Sequence, residues 1–126
     1  MKIMVKIIIS IFVTFIIFYI ICFLDTNNTI HEFKKIVSEQ KITNTAFDRY
    51  VGNYNEAKGP ATYSKIKINR RFVIHNFYKG IMYVKYSYEH YNNKGERIGG
   101  SWNIPSKWLI EKREKQWVVK FIEENP

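Results

Sequence analysis

Three patterns of apolar and polar positions follow one another along this chain. From Ile7 to Leu24 eighteen residues, Ile-Ile-Ile-Ser-Ile-Phe-Val-Thr-Phe-Ile-Ile-Phe-Tyr-Ile-Ile-Cys-Phe-Leu, pass without a charge. At 1.5 Å per residue this run spans roughly 27 Å, enough for the hydrocarbon core of a bilayer if Lys6 snorkels. It is longer than the apolar region of a cleavable signal peptide, and no small-x-small cleavage pattern stands near Leu24, so an uncleaved signal-anchor over residues 1–25 is expected.

The second pattern is helical. Thr26-Asn27-Asn28 breaks the apolar run, and Thr29-Ile30-His31-Glu32 has the form of a capping box. Ile30, Phe33, Ile36 and Val37 then share one face of a short helix at about 29–40. Phe47, Tyr50, Val51 and Tyr54 repeat at i, i+3, i+4, i+7 and predict a second helix from Thr45, stopped by Lys58-Gly59-Pro60.

After Pro60 the period drops to two. Strands are expected at about 62–68, 71–78, 81–92, 97–111 and 116–123, divided by Asn69-Arg70, Lys79-Gly80, Asn92-Asn93-Lys94-Gly95 and Arg113-Glu114-Lys115. Connections this short make an antiparallel meander. Along the third run Met82, Val84, Tyr86, Tyr88 and His90 occupy one face, with Ile81, Tyr83, Lys85, Ser87, Glu89 and Tyr91 on the other. Ile98, Trp102, Ile104, Trp108 and Ile110 are read as inward on the fourth, with Gly99-Gly100 and Pro105 bending it; Trp117, Val119 and Phe121 alternate on the last. The expected fold is α+β: an N-terminal transmembrane helix, then one or two short helices packed on a curved antiparallel β-meander of four to five strands, residues 26–126 forming the outer domain.

Charge sets the orientation. Lys2 and Lys6 precede the apolar run and Asp25 follows it, which places the N-terminus in the cytoplasm and the C-terminal domain outside; Lys34 and Lys35 pull weakly the other way. Of 20 basic and 11 acidic residues, all but Lys2, Lys6 and Asp25 lie in residues 26–126, leaving that part at +8. Such a balance suits nucleic acid, an anionic membrane surface, an anionic wall polymer or simply a basic proteome, and charge alone does not choose among them; outside the membrane, nucleic acid is disfavoured. The richness in Ile, Lys, Asn and Tyr is similar to that of proteins from low-GC Gram-positive bacteria.

Candidate chemistry is sparse. Cys22 is the lone cysteine, so no internal disulfide can form. It stands where a lipoprotein would be processed, but Tyr19-Ile20-Ile21 before it is bulky; an inert intramembrane thiol is expected, with a secreted or Cys22 lipid-anchored form as the alternative. His31, His75 and His90 fall on different elements without metal-ligand spacing, and Gly95-Glu96-Arg97-Ile98-Gly99-Gly100 opens no helix that could cradle phosphate. Glu123 and Glu124 read as a solvated tail. No cofactor, metal or catalysis is expected.

Two surfaces remain as candidates for binding. Tyr83, Lys85 and Tyr91, joined by Arg97 and Lys107, offer rings to anchor a partner and cations to select an acidic one, against the plainer alternative of cross-strand packing. Lys65, Lys67, Arg70 and Arg71 form a denser basic set suited either to protecting an edge strand or to anionic headgroups or wall polymer.

The order of helices, then a meander closing on Lys107-Trp108-Leu109-Ile110-Glu111-Lys112 and Gln116-Trp117-Val118-Val119-Lys120-Phe121-Ile122-Glu123, resembles the small cystatin-like or NTF2-like domains of Gram-positive membrane-anchored proteins and lipoproteins, over roughly residues 29–126. The resemblance implies an accessory or binding domain that contacts an envelope or membrane protein, in the manner of an inhibitor, immunity or exclusion factor. The alternative is a structural subunit of a membrane secretion or conjugation assembly, with Ser10 and Thr14 forming a small contact face on the anchor. A minimal enzyme or ligand carrier would instead need a deep pocket between helices and sheet.

Overall fold

The computed structural model describes residues 1–124. Helix α1 (Lys2–Asp25) runs through the whole apolar segment and is long and apolar enough to cross a membrane. Thr26 separates it from α2 (Asn27–Glu39). The Thr26 hydroxyl donates back to the Cys22 carbonyl at 2.9 Å, so the anchor passes into the domain helix across a single residue rather than a linker. Thr29, expected to cap α2, lies inside it instead, buried and donating to the Trp117 carbonyl at 3.4 Å. Ile30, Phe33, Ile36 and Val37 form the buried face, as their spacing requires.

The expected second helix shrinks to one 3₁₀ segment, Ala46–Tyr50. Phe47 and Tyr50 keep their inward places, but Val51 is extended and Gly52 sits at φ +88, which ends the helix before Tyr54. A two-residue ribbon follows, β1 (Tyr54–Asn55) with β2 (Gly59–Pro60).

The main sheet is a four-stranded antiparallel meander in the order β3 (Tyr63–His75), β4 (Lys79–Tyr91), β5 (Arg97–Arg113), β6 (Gln116–Glu123). Asn69-Arg70 does not end a strand; it is a bulge inside β3. The turn between β3 and β4 is Asn76-Phe77-Tyr78 rather than the expected Lys79-Gly80, so His75 pairs with Gly80. This close pairing needs glycine: a Cβ on Gly80 would lie 2.5 Å from His75 Cβ and 2.5 Å from the Ile74 carbonyl oxygen.

Asn69, Ser87 and Asn103 mark a line of irregularity across three strands. Asn69 Nδ2 donates to Ser87 Oγ at 2.8 Å and to Asn103 Oδ1 at 2.7 Å, while Asn103 adopts φ +56. The register shift beside it turns Trp102 outward, where it is 57% exposed, correcting the inward reading. A second bulge near Lys120 does the same to Phe121 and brings Ile122 inward in its place.

The core lies between α2, the 3₁₀ segment and the inner sheet face. Phe33 meets Phe47, Tyr50, Tyr86 and Trp108 at centroid distances of 4.8–5.4 Å, mostly edge to face. Met82, Val84, Tyr86 and His90 on β4 are buried, as the alternation required.

One side of the expected span Ile7 to Leu24 is covered by the domain over its last two turns. From Phe18 onward α1 packs on the domain: Phe18 against Phe77, Tyr19 stacked on Phe72 at 5.4 Å, Phe23 beneath the Arg71 guanidinium. Cys22 is fully buried, its Sγ 3.9 Å from the His75 carbonyl oxygen, so its thiol is enclosed by the domain's core rather than facing outward from the helix.

Candidate functional site

The outer face of the sheet carries no helix. Its pairing rows, counted away from the β3–β4 turn, are Ile74, Ile81, Leu109 and Phe121; then Phe72, Tyr83, Lys107 and Glu123; then Arg70, Lys85 and Pro105. The first is apolar across four strands, the second sets two rings beside a Lys and a Glu, and the third is basic. Phe72, Ile74, Tyr83 and Phe121 are each about half exposed. Between the second and third rows lies an open concavity of about 780 Å³, within the size of small-ligand and peptide sites. Lys107 is held 3.7 Å from Glu123, which offsets one of the four cations at its lining, Arg70, Arg71, Lys85 and Lys107.

Tyr83, Lys85 and Lys107, selected from the sequence, therefore meet here, together with Arg70 from the second basic set. Tyr91 and Arg97 are on the same face but at its far end, where they pair across β4 and β5. There Tyr91 stacks on Tyr63 at 5.1 Å and donates its hydroxyl to Glu89, and Arg97 lies 3.7 Å from Glu89 and over the Trp102 ring. The Glu89 carboxylate raises the Tyr91 phenol above its ordinary value. These two residues are occupied with one another's neighbours and lie outside the concavity.

Lys65 and Lys67 are exposed on β3, an edge strand of the sheet. Arg71 is half-buried and reaches the concavity only at its margin. The bulge at Asn69 turns it to the helix side, where it donates to Asn27 Oδ1 at 2.6 Å and to the Phe23 carbonyl at 3.0 Å. Burial lowers its pKa from the ordinary guanidinium value. Its role is to join α1 and α2 to β3.

A second cluster, on the inner side, escaped sequence reasoning. Ser64 and His90 pair across β3 and β4, and Ser64 Oγ meets His90 Nδ1 in a short hydrogen bond. Gln40, in a left-handed conformation at the end of α2, places Nε2 3.1 Å from Ser64 Oγ and 2.8 Å from the Val37 carbonyl. Nearby, the Tyr50 and Tyr86 hydroxyls both donate to Glu124 Oε1 at 2.6 Å, so Glu124 is clamped by the core and is no solvated tail. Burial, reinforced by that carboxylate, raises both phenols; burial lowers His90. The cavity beside these groups is only about 200 Å³, smaller than ordinary ligand sites. Ser64 and His90 are each about 95% buried, and the Ser64 hydroxyl is engaged by both neighbours. The arrangement suits a polar network that fixes the end of α2 to the sheet.

A third cluster closes the anchor end. Asp25 Oδ2 accepts from Trp117 Nε1 at 2.6 Å and lies 3.5 Å from His75 Nε2 and 3.9 Å from Lys112 Nζ. The Phe77 amide donates to His75 Nδ1, which fixes the neutral tautomer with its proton on Nε2. Burial pushes the imidazole below its ordinary value and outweighs the opposing Asp25 carboxylate. Among the described residues no group of three or more His, Cys, Asp or Glu is placed to hold a metal ion.

Comparison of the chain with protein-family models, with curated proteins and with solved structures returned no match.

Proposed function

We propose that the protein is a single-pass membrane protein whose small basic domain binds an acidic, partly apolar segment of another envelope or membrane protein across the outer face of its sheet, as an inhibitor, immunity or exclusion factor would. The observation that carries this reading is the juxtaposition of half-exposed Phe72 and Tyr83 with Arg70, Lys85 and Lys107 around one concavity. Exposed rings beside cations form the kind of surface on which a few residues supply most of the binding energy. Tyr19 on Phe72 and Phe23 under Arg71 set one margin of this concavity beside the last two turns of α1, within reach of a membrane neighbour's juxtamembrane segment. A helix laid across an antiparallel meander is also what a cystatin-like or NTF2-like kinship would require.

The alternative, a subunit of a secretion or conjugation assembly held by its anchor, draws on Ser10 and Thr14. The Thr14 hydroxyl is spent within the helix, donating to the Ser10 carbonyl at 2.8 Å, so this face offers less for a neighbouring helix to recognise.

The test is a photoreactive amino acid placed at Tyr83 in intact cells, with Lys35 on the exposed side of α2 as the control. The reading expects one discrete protein adduct from position 83, absent from position 35 and lost on adding Lys85→Glu. Adducts with lipid alone, or identical patterns at both positions, would overturn it.

A further inference from the structure

The turn between β3 and β4 lies beside the anchor rather than clear of it. Phe77 packs on Phe18 with centroids 5.7 Å apart, while α1 continues past this point toward its N-terminus. On the side of α1 away from the domain, Ile17, Ile20, Ile21 and Leu24 remain 45–60% exposed, and the first polar residues are Asp25 and Thr26. The apolar surface of the helix thus ends at Leu24, two turns beyond Phe18. At 1.5 Å per residue the β3–β4 turn is roughly 9 Å on the membrane side of that boundary.

Without these two turns the free part of α1, Ile3 to Ile17, measures roughly 22 Å, short of a hydrocarbon core of about 30 Å. The bilayer therefore has to reach the level at which the domain already stands.

The turn is built for such a place. Phe77 is 43% and Tyr78 74% exposed, with half-exposed Ile74 behind them. Phe77 holds φ +71, a conformation that favours glycine or asparagine, and its ring meets His75 and Phe18 edge to face while 43% of the residue stays exposed. Asn76 Oδ1 accepts from the amides of Tyr78 and Lys79, presenting the two rings on a closed turn without unpaired donors at those positions. The β5–β6 turn lies at the same end, tied on by the Lys112 amide donating to the Tyr78 carbonyl at 2.8 Å. Lys79 pairs with Glu111 across β4 and β5, and Glu111 is itself neutralised by Arg113 at 3.6 Å and Lys120 at 3.8 Å, so that cations outnumber carboxylates beside the two rings, as at a membrane–water interface.

We infer that Phe77 and Tyr78 are seated in the interfacial zone of the bilayer leaflet on the domain's side, so that the protein holds the membrane by its helix and by this turn together. The occupant is phospholipid, supplied as a continuous surface with the one that covers α1. Insertion by about 5–10 Å is the depth at which interfacial apolar faces sit, and it fixes the domain's tilt. This goes beyond the proposed sheet-face partner and does not depend on it.

The test uses the full chain in phosphatidylcholine and phosphatidylglycerol vesicles, at less than one chain per vesicle so that no second copy is present. An environment-sensitive fluorophore is attached to Tyr78→Cys; Cys22 is fully buried, and the unsubstituted chain, carried through the same labelling, reports any reaction there. Lys94→Cys, in the exposed turn at the opposite end of the sheet, is the control. The inference expects blue-shifted emission at position 78, quenched several-fold more by doxyl-labelled lipid than at position 94. Water-like emission at both positions would overturn it. Near-ultraviolet circular dichroism checks the fold, and Lys79→Cys replaces Tyr78→Cys if that variant does not fold. Because the vesicles contain no other protein, failure here leaves the sheet-face proposal standing, and the reverse.

Discussion

Trp117 donates its indole N–H to Asp25 Oδ2 at 2.6 Å, joining the last strand to the final residue of the anchor helix. With Arg71 bonded to Phe23 and Asn27, this makes α1 and the domain one body, so motion of the helix is transmitted to the sheet face. A hydrogen bond to a charged group contributes about 1.5–3 kcal/mol. Trp117→Phe is expected to lower stability by that order, read from thermal unfolding in detergent, and a change below about 0.5 kcal/mol would show the link to be idle.

Acid should loosen the domain. His75 and His90 both titrate below their ordinary value in the folded chain, so on acidification the unfolded chain takes up protons first. Their contribution is full above the unfolded value of about 6.5 and is lost as pH falls below it toward the folded values. Denaturant unfolding at about pH 7.5 and 5.5 should show lower stability at the acid end, with a shallower dependence in His90→Gln. Stability that rises on acidification through this window would contradict the assignment.

Alkali acts on Tyr50 and Tyr86 in the opposite sense. Their folded values are raised, so the stability they supply is present below the unfolded value of about 10 and is lost as pH rises above it. Glu124→Gln removes the carboxylate that reinforces the shift. Spectrophotometric titration should then find both phenols ionising at lower pH than in the parent chain, while an unchanged titration would mean that Glu124 does not hold them.

Gly80→Ala puts a methyl group into space already filled by His75 and Ile74. Forced overpacking costs about 1–3 kcal/mol. The loss is expected in the unfolding midpoint, and hydrogen exchange at the β3–β4 turn should rise with it.

Lys85→Glu is the counterpart on the open face. Lys85 belongs to the basic row and has no ion-pair partner among the described residues, so stability should stay within about 0.5 kcal/mol while partner capture is lost. A large loss of stability would make Lys85 a structural residue.

Much of this was legible from alternation alone. Met82, Val84, Tyr86 and His90 face the core because β4 is regular where they lie, and β6 begins and ends where its pattern does. Trp102, Phe121 and Arg71 went to the opposite side because a bulge precedes or accompanies each, and a bulge one residue long inverts every assignment beyond it. The helix from Thr45 failed at Gly52, whose positive φ overrode an apolar spacing that suited a helix equally well. Of the candidate surface, Tyr83, Lys85 and Lys107 were found by parity. Their union with Arg70 and Phe72 depends on the register of β3, which the misplaced turn at Lys79-Gly80 had concealed. Nothing in the spacing of Ser64, His90, Tyr50, Tyr86 and Glu124 joins them, since their contacts are made by folding over long sequence separations.

Orientation underlies the whole account, and one measurement addresses it. Protease is added to intact cells expressing the chain with a C-terminal tag, and the mass of the undigested protein is taken to ask whether residues 1–25 are still attached. The account predicts a full-length, uncleaved chain whose domain is digested from outside. Protection of the domain, under conditions in which known surface proteins are digested, would contradict it and place the +8 domain in the cytosol.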